Sequence, residues 1–361
     1  MVGLDSGLLS PVPNMWTLHY IGLYSQYAIV GLLYGMSGTM VPLCSYVYNG
    51  DGNTCANARS VAFFAWNFKL LFALGTDASR PFGMRRKPFM LFGMSCVILI
   101  LLFMTAFAHT MSVSSWLASL LLLNFFLMFS DVPADGYSVE LGHLEPPLRR
   151  GQILATGQRV RFTFCMVSGF IQTFLLNGPT TNSPDCEVGG SGCWSWGLTV
   201  NGYYGLIFAL CCILFVPICF LRELDTKVPP HTLRELLQNL WLTMQNLTTM
   251  RLIIFVIGFN LTATMINNVN IYLQYYVIKL SNFQAGIDTI TSYLVLVIAI
   301  WIFQRYLINR NWRITQYSAS IVTSIIGLLW IPAYYNAGGT QNAWYTIFID
   351  LDQVSKIDLP T

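Results

Sequence analysis

Residues 88–110 form an almost unbroken apolar stretch, PFMLFGMSCVILILLFMTAFAHT. A helix needs about 20 such residues to cross the hydrocarbon core of a bilayer. Runs of this kind recur at 18–41, 58–78, 114–141, 157–177, 198–221, 250–278, 283–308 and 314–335, and a further one starts near Trp344. A chain with this pattern folds as a set of membrane-spanning helices, because only segments that satisfy their own backbone groups persist in lipid. Composition agrees. Hydrophobic residues make up 55% and Asp, Glu, Lys and Arg only 10%, against about 25% charged residues in an ordinary soluble domain. A soluble enzyme this poor in charge could not cover its surface. The first run has no basic region before it and no small-residue cleavage site after it, so it reads as a retained span.

The basic residues test that span order. Arg80, Arg85, Arg86 and Lys87 follow span two. Arg149, Arg150, Arg159 and Arg161 are assigned to the connection between spans four and five. Arg222, Lys227, Arg234 and Arg251 lie around the link between spans six and seven, and Arg305, Arg310 and Arg313 around that between eight and nine. Most of the 19 Lys and Arg residues therefore fall at alternate connections. Lys/Arg bias fixes orientation, which places these connections and the N-terminus in the cytosol. The membrane is that of the cell surface or of an organelle. The basic residues are dispersed over short loops, so they form no nucleic-acid footprint.

Between spans six and seven, residues 231–245 place Leu233, Leu236, Leu237, Leu240, Trp241 and Met244 at three-four spacing. One apolar stripe with polar residues elsewhere predicts an amphipathic helix on the membrane surface. The expected organisation is an all-α polytopic protein. Residues 1–221 form a six-helix bundle, 222–249 a cytosolic linker with the surface helix, and 250–361 a partial second bundle. That second part holds three full spans and part of a fourth.

The nine cysteines show no paired spacing for zinc, and no phosphate-cradling loop, nucleotide-binding or acyl-transfer motif is present. No metal, cofactor or enzymatic chemistry is expected. Cys186 and Cys193 share the outward loop between spans five and six and can form a disulfide; Cys44 and Cys55, flanking the first outward loop, can also pair. The other cysteines sit in apolar stretches as packing residues. The sequons at Asn246 and Asn260 fall in the cytosol and inside a span, so neither is expected to carry glycan.

Ionisable groups inside spans are costly and face protein or water. Lys69 lies in span two; Asp131 and Asp135 lie four apart in span four, on one helix face. One or both carboxylates can pair with Lys69. Two carboxylates in low dielectric suit proton coupling; the plainer reading is a structural ion pair between two helices. Pro133, between them, is expected to loosen the helix. Glu140 and Glu145 belong at the cytosolic rim. Asp77, just before Gly83, Arg85 and Arg86, can hold the basic loop as a gate; equally, the cluster can serve topology alone. Span seven carries Asn260, Thr262, Thr264, Asn267, Asn268, Asn270 and Gln274. These line a solute route or make helix-to-helix hydrogen bonds. Trp66 is placed to stack on a flat ligand.

Two stretches carry a family resemblance. WNFKLLFALGTDASRPFGMRRK contains Asp77, Gly83, Arg85 and Arg86 in an acidic–glycine–basic pattern. DVPADGYSVELGHLE is followed by Pro146, Arg150 and Gly151. A third, weaker stretch runs from Trp344 to Asp350. The chain resembles the folate–biopterin transporter family, a branch of the major facilitator superfamily. The resemblance implies a two-bundle fold, alternating access, and transport of a folate or pterin-like small molecule, with protons as the coupling ion and lipid as the surroundings. It makes Lys69, Asp131, Asp135 and Arg150 site or gating candidates. It also implies that the second bundle is cut short, since the chain stops in or just after the tenth span. Two other readings stand beside it: a carrier for another organic solute on the same scaffold, and a non-transporting membrane protein or truncated remnant.

Overall fold

The computed structural model describes residues 15–146, 150–179, 181, 194–223, 232–258, 278, 282–308, 312–339, 342, 344–345 and 347. All its regular elements are helices. Helix α1 (Leu18–Gly35) continues through a tighter turn at Met36–Thr39 and an α-helical turn at Met40–Pro42 into a wide turn at Leu43–Val47. The chain then enters α2 (Gly52–Ala62), a tight turn at Phe64–Phe68, and α3 (Lys69–Ala78). Span two therefore starts six residues earlier than the apolar run and is broken in its middle. Helices α4 (Lys87–Phe107), α5 (Val113–Gly142), α6 (Gln152–Phe170) and α7 (Val200–Cys219) follow. Beyond them come α8 (Leu233–Gln245), α9 (Leu247–Gly258), α10 (Asn282–Ile302), α11 (Trp312–Leu328) and α12 (Trp330–Tyr335).

The helix starts follow local chemistry. Asp51, Ser112 and Thr199 each accept a backbone N–H of the first turn that follows, which satisfies donors with no partner inside the helix. Asp51 lies in the loop before α2, and its hydrogen bonds from Thr54 hold its carboxyl below the usual range. Thr232 and Glu235 form a reciprocal capping box at the start of α8. Pro133 does not interrupt α5, which runs through it.

By length and composition, four helices among the described residues are each able to cross a membrane: Lys87–Thr110, Val113–Gly142, Val200–Cys219 and Phe283–Leu307. Helix α4 shows why. Met90, Met94, Val97, Leu101 and Met104 are buried at three-four spacing, while Phe92, Leu99, Leu102, Phe103 and Phe107 stand exposed. Both faces are apolar, as a helix between protein and lipid requires. The other expected spans that lie within the described residues are broken, shorter or more polar. In α1, for instance, Tyr24, Ser25, Gln26 and Tyr27 are buried within the protein.

Helix α1 packs against α6 and α7, α4 against α5 and α7, and α10 against α6. Lipid tails are as apolar as leucine, so close packing and polar contacts hold helices together here. Glycine permits the approach. A Cβ on Gly31 of α1 would lie 2.0 Å from the carbonyl oxygen of Arg161 in α6, and one on Gly93 of α4 would lie 2.7 Å from that of Phe126 in α5. The linker helix α8 meets α9 at a bend of 82°. Leu236 and Leu240 are half-buried, whereas Leu233, Leu237, Trp241 and Met244 are exposed. A helix thus occupies the linker stretch, one apolar edge half-buried and the rest exposed.

Candidate functional site

Five side chains from four helices meet inside the bundle. Asp131 sits in α5 roughly 16 Å along the axis from its end at Gly142. Its side chain has no exposed surface. Arg161, from α6, brings Nη2 to 2.5 Å from Asp131 Oδ1 and 3.6 Å from Asp135 Oδ1. Lys69, at the start of α3, donates to Asp135 Oδ2, and its Nζ stands 3.6 Å from Asp131 Oδ2. The Tyr27 hydroxyl of α1 donates to Asp135 Oδ1 at 2.8 Å and lies 3.0 Å from Ser138 Oγ. The Arg161 guanidinium also lies over the Tyr27 ring, 4.9 Å from its centroid.

Two cations thus balance two carboxylates. An unpaired charge at this depth would cost several kcal/mol, so each member depends on the others. The pairing of Lys69 with the carboxylates agrees with the sequence expectation. Tyr27 and Arg161 were not anticipated as members. Arg161 was assigned to the cytosolic connection with Arg159. Instead α6 begins at Gln152, which puts both arginines well inside the helix. The early start has a cause: the buried Glu145 carboxylate accepts the backbone N–H of Gly151, Gln152 and Ile153 at 2.6, 3.2 and 2.8 Å. Gly151 supplies the left-handed backbone this turn needs, with φ of 95°. Glu145 is thus buried as the cap of α6.

One turn from Lys69, Trp66 donates its indole N–H to Asn124 Oδ1 at 3.1 Å and packs beside Tyr34 and Phe63. At the end of α3, Asp77 Oδ1 lies 2.5 Å from Arg86 Nη1 and 3.4 Å from Arg85 Nη2. Glu140 Oε1 lies 3.1 Å from both arginines. The backbone N–H groups of Arg85, Arg86 and Lys87 donate to Glu223, just beyond α7. Tyr137 donates to the carbonyl of Arg222, whose own N–H donates to that of His19. This is a latch joining α1, α3, α4, α5 and the end of α7. Gly83, φ 76°, completes the turn before it. The sequence identified Asp77, Arg85 and Arg86; Glu223 was missed, because only folding brings it beside them. Arg150, grouped with the gating loop, is exposed and makes no ion pair among the described residues.

On the opposite side, Cys44 and Cys55 form a disulfide between the end of the first span and α2. The favoured pairing of Cys186 with Cys193 lies outside the described residues, as do Asn267, Asn268 and the other amides of span seven. Arg159 donates to Gln304 Oε1 at 3.0 Å, and Gln304 donates to Thr156 Oγ1 at 3.1 Å. These contacts tie α6 to the turn at Phe303–Leu307 after α10.

This arrangement is an all-α polytopic membrane protein with a buried charge cluster and a charged latch at one face. Solved structures of sugar carriers share the fold. A D-xylose–proton symporter matches with a TM-score of 0.51 at 13% identity, over 93% of this chain and 80% of that one. The Escherichia coli xylose transporter matches in a partially occluded inward-open form (TM-score 0.52, 13% identity, 93% and 84% coverage) and in an inward-open form (0.52, 14%, 94% and 80%). The fold is therefore the one these carriers share. No family model and no curated protein matches the sequence.

Proposed function

We propose that this chain is a proton-coupled carrier of an organic solute, working by alternating access, with the Lys69–Asp131–Asp135–Arg161 cluster at its centre. One observation carries the reading. Two carboxylates and two cations meet inside the helix bundle, Asp131 and Arg161 buried and Asp135 and Lys69 at the accessible end. A group that must take up and release a proton needs access to solvent, which Asp135 has, and a neighbouring carboxylate couples to its titration. The Asp77–Arg85–Arg86–Glu140–Glu223 latch supplies a contact that can break when helices shift, and we assign it the role of cytosolic gate. The N-terminus then faces the cytosol, and α8 lies on the inner surface between an N-terminal bundle of residues 1–221 and a second bundle from 250.

A neutral sugar, the solute of the solved structures, has no use for two buried cations. Within the same scheme the sequence resemblance favours a folate or pterin-like solute. A folate offers a carboxylate to a cation, and a flat ring fits beside Trp66, Tyr34 and Phe63. Uptake of labelled folate, biopterin and xylose into vesicles, with and without an inward proton gradient, tests both levels. Accumulation of any of them driven by the gradient supports the carrier reading, and folate or biopterin over xylose supports the narrower one. Gradient-driven xylose uptake without folate or biopterin removes the narrower reading.

A further inference from the structure

We infer that Lys69 is the solute-facing cation of the cluster, and that protonation of Asp135 frees it to hold one anionic group, so that one such group and one proton enter the site together. This rests on the carrier reading above and adds the charge of the solute to it.

The members of the cluster differ sharply in accessibility. The Asp131 side chain is wholly buried and that of Arg161 is 9% exposed, whereas Asp135 is 22% and Lys69 41% exposed. Arg161 is committed: it is sealed between Tyr27 and Asp131. Lys69 is not. Its ammonium is shared by the two carboxylates, and Asp131 Oδ2 has no hydrogen-bond partner among the described residues. The groups that face Asp135 among the described residues are Tyr27 from α1, Lys69 from α3, Asp131 on its own helix and Arg161 from α6.

Charge balance then dictates the sequence of events. With both carboxylates ionised the cluster is neutral and has little attraction for an anion. A proton taken from solvent onto the Asp135 carboxylate leaves one positive charge in excess. Arg161 stays with Asp131, so the accessible pole of that excess is Lys69. With no solute present, the ammonium falls back on the unpartnered oxygen of Asp131. With an anionic solute, it turns outward and the site is neutral again. One anionic group facing Lys69 per proton is therefore the charge that the cluster matches. The matched cargo is a monoanionic headgroup such as one carboxylate.

Thiocyanate is a probe that needs no knowledge of the solute, because its C≡N stretch shifts on contact with an ammonium. It is titrated against the purified full chain by infrared spectroscopy. Asp135→Asn carries the excess charge permanently and is expected to bind thiocyanate at least about tenfold more tightly than the wild type at about pH 8. The double variant Asp135→Asn/Lys69→Gln is expected to lose that binding, and Asp135→Asn/Lys69→Arg to keep it. The Lys69→Arg form guards against misfolding as the cause of loss. Equal binding by Asp135→Asn and by its Lys69→Gln derivative overturns the assignment, as does no binding by a folded Asp135→Asn protein. Gradient-driven solute uptake is a separate measurement. Lys69-dependent thiocyanate binding without uptake supports the anion site and rejects the carrier; uptake without it rejects the anion site alone.

Discussion

Replacing Arg161 with methionine tests whether the cluster is mutually dependent. The variant keeps an apolar stem over the Tyr27 ring and removes the guanidinium 2.5 Å from a carboxylate with no exposed surface. Leaving one partner of a buried pair alone costs about 3–5 kcal/mol. Lys69, already 3.6 Å from the other Asp131 oxygen, compensates in part, so Arg161→Met should fall near the lower figure. Asp131→Leu should cost less, roughly 2 kcal/mol, because Arg161 still has Asp135 at 3.6 Å. The double variant is the critical one. It leaves Lys69 with Asp135, a neutral pair, and replaces the other pair by apolar groups, which is often close to neutral. A double-mutant cycle should give a coupling of at least about 2 kcal/mol. In detergent, thermal unfolding followed by fluorescence should show Arg161→Met about 6 °C below the wild type, at about 2 °C per kcal/mol, with most of the loss recovered in the double variant. Strictly additive shifts, or an Arg161→Met protein that melts with the wild type, would refute the mutual dependence.

The remaining expectations concern the scaffold and the latch. Removing the Cys44–Cys55 disulfide by paired serine substitutions opens a loop of sequence separation 11; the chain-entropy account gives a loss of about 3 kcal/mol, seen as a lower melting point, and maleimide should label neither cysteine until a reductant is added. Gly31→Ala places a methyl 2.0 Å from a backbone oxygen of α6; this should cost about 1–3 kcal/mol or more and reduce the yield of monodisperse protein, whereas Gly75→Ala, which meets nothing within 4 Å, should not. Glu223→Gln weakens three charge-assisted hydrogen bonds at the start of α4. A cysteine introduced at buried Thr76 should then react faster with an impermeant maleimide than in the parent protein.

Much of the site was legible because a charge within an apolar run is conspicuous. Lys69, Asp131 and Asp135 stood out on that ground, and a spacing of four put both carboxylates on one face. Arg161 carried the same signal but was hidden by its neighbours. It follows Arg149, Arg150 and Arg159, and hydropathy alone drew the helix start at residue 157. Gly151 after Glu145 marks the true start, a cap formed by a side chain six residues upstream, which periodicity does not register. The boundaries of spans one and two shifted for a related reason. Wide and tight turns, at Leu43–Val47 and Phe64–Phe68, carry the helical path through polar and aromatic residues that an apolar window rejects. The linker helix was fully legible, since its stripe of leucines and its Thr232–Glu235 cap are both local. Glu223 and Gln304 were not, because their partners lie far away in sequence.

The central claim is that solute movement is tied to a proton at Asp135. In proteoliposomes carrying the full chain, the decisive measurement compares gradient-driven accumulation with solute exchange at equal pH, for wild type and Asp135→Asn, using labelled folate, biopterin and xylose. The account predicts that the wild type accumulates a solute against its gradient when the outside is acidic, and that Asp135→Asn still exchanges that solute but no longer accumulates it. Accumulation by Asp135→Asn at the wild-type level, or no proton-driven accumulation of any of the three by the wild type, would contradict it.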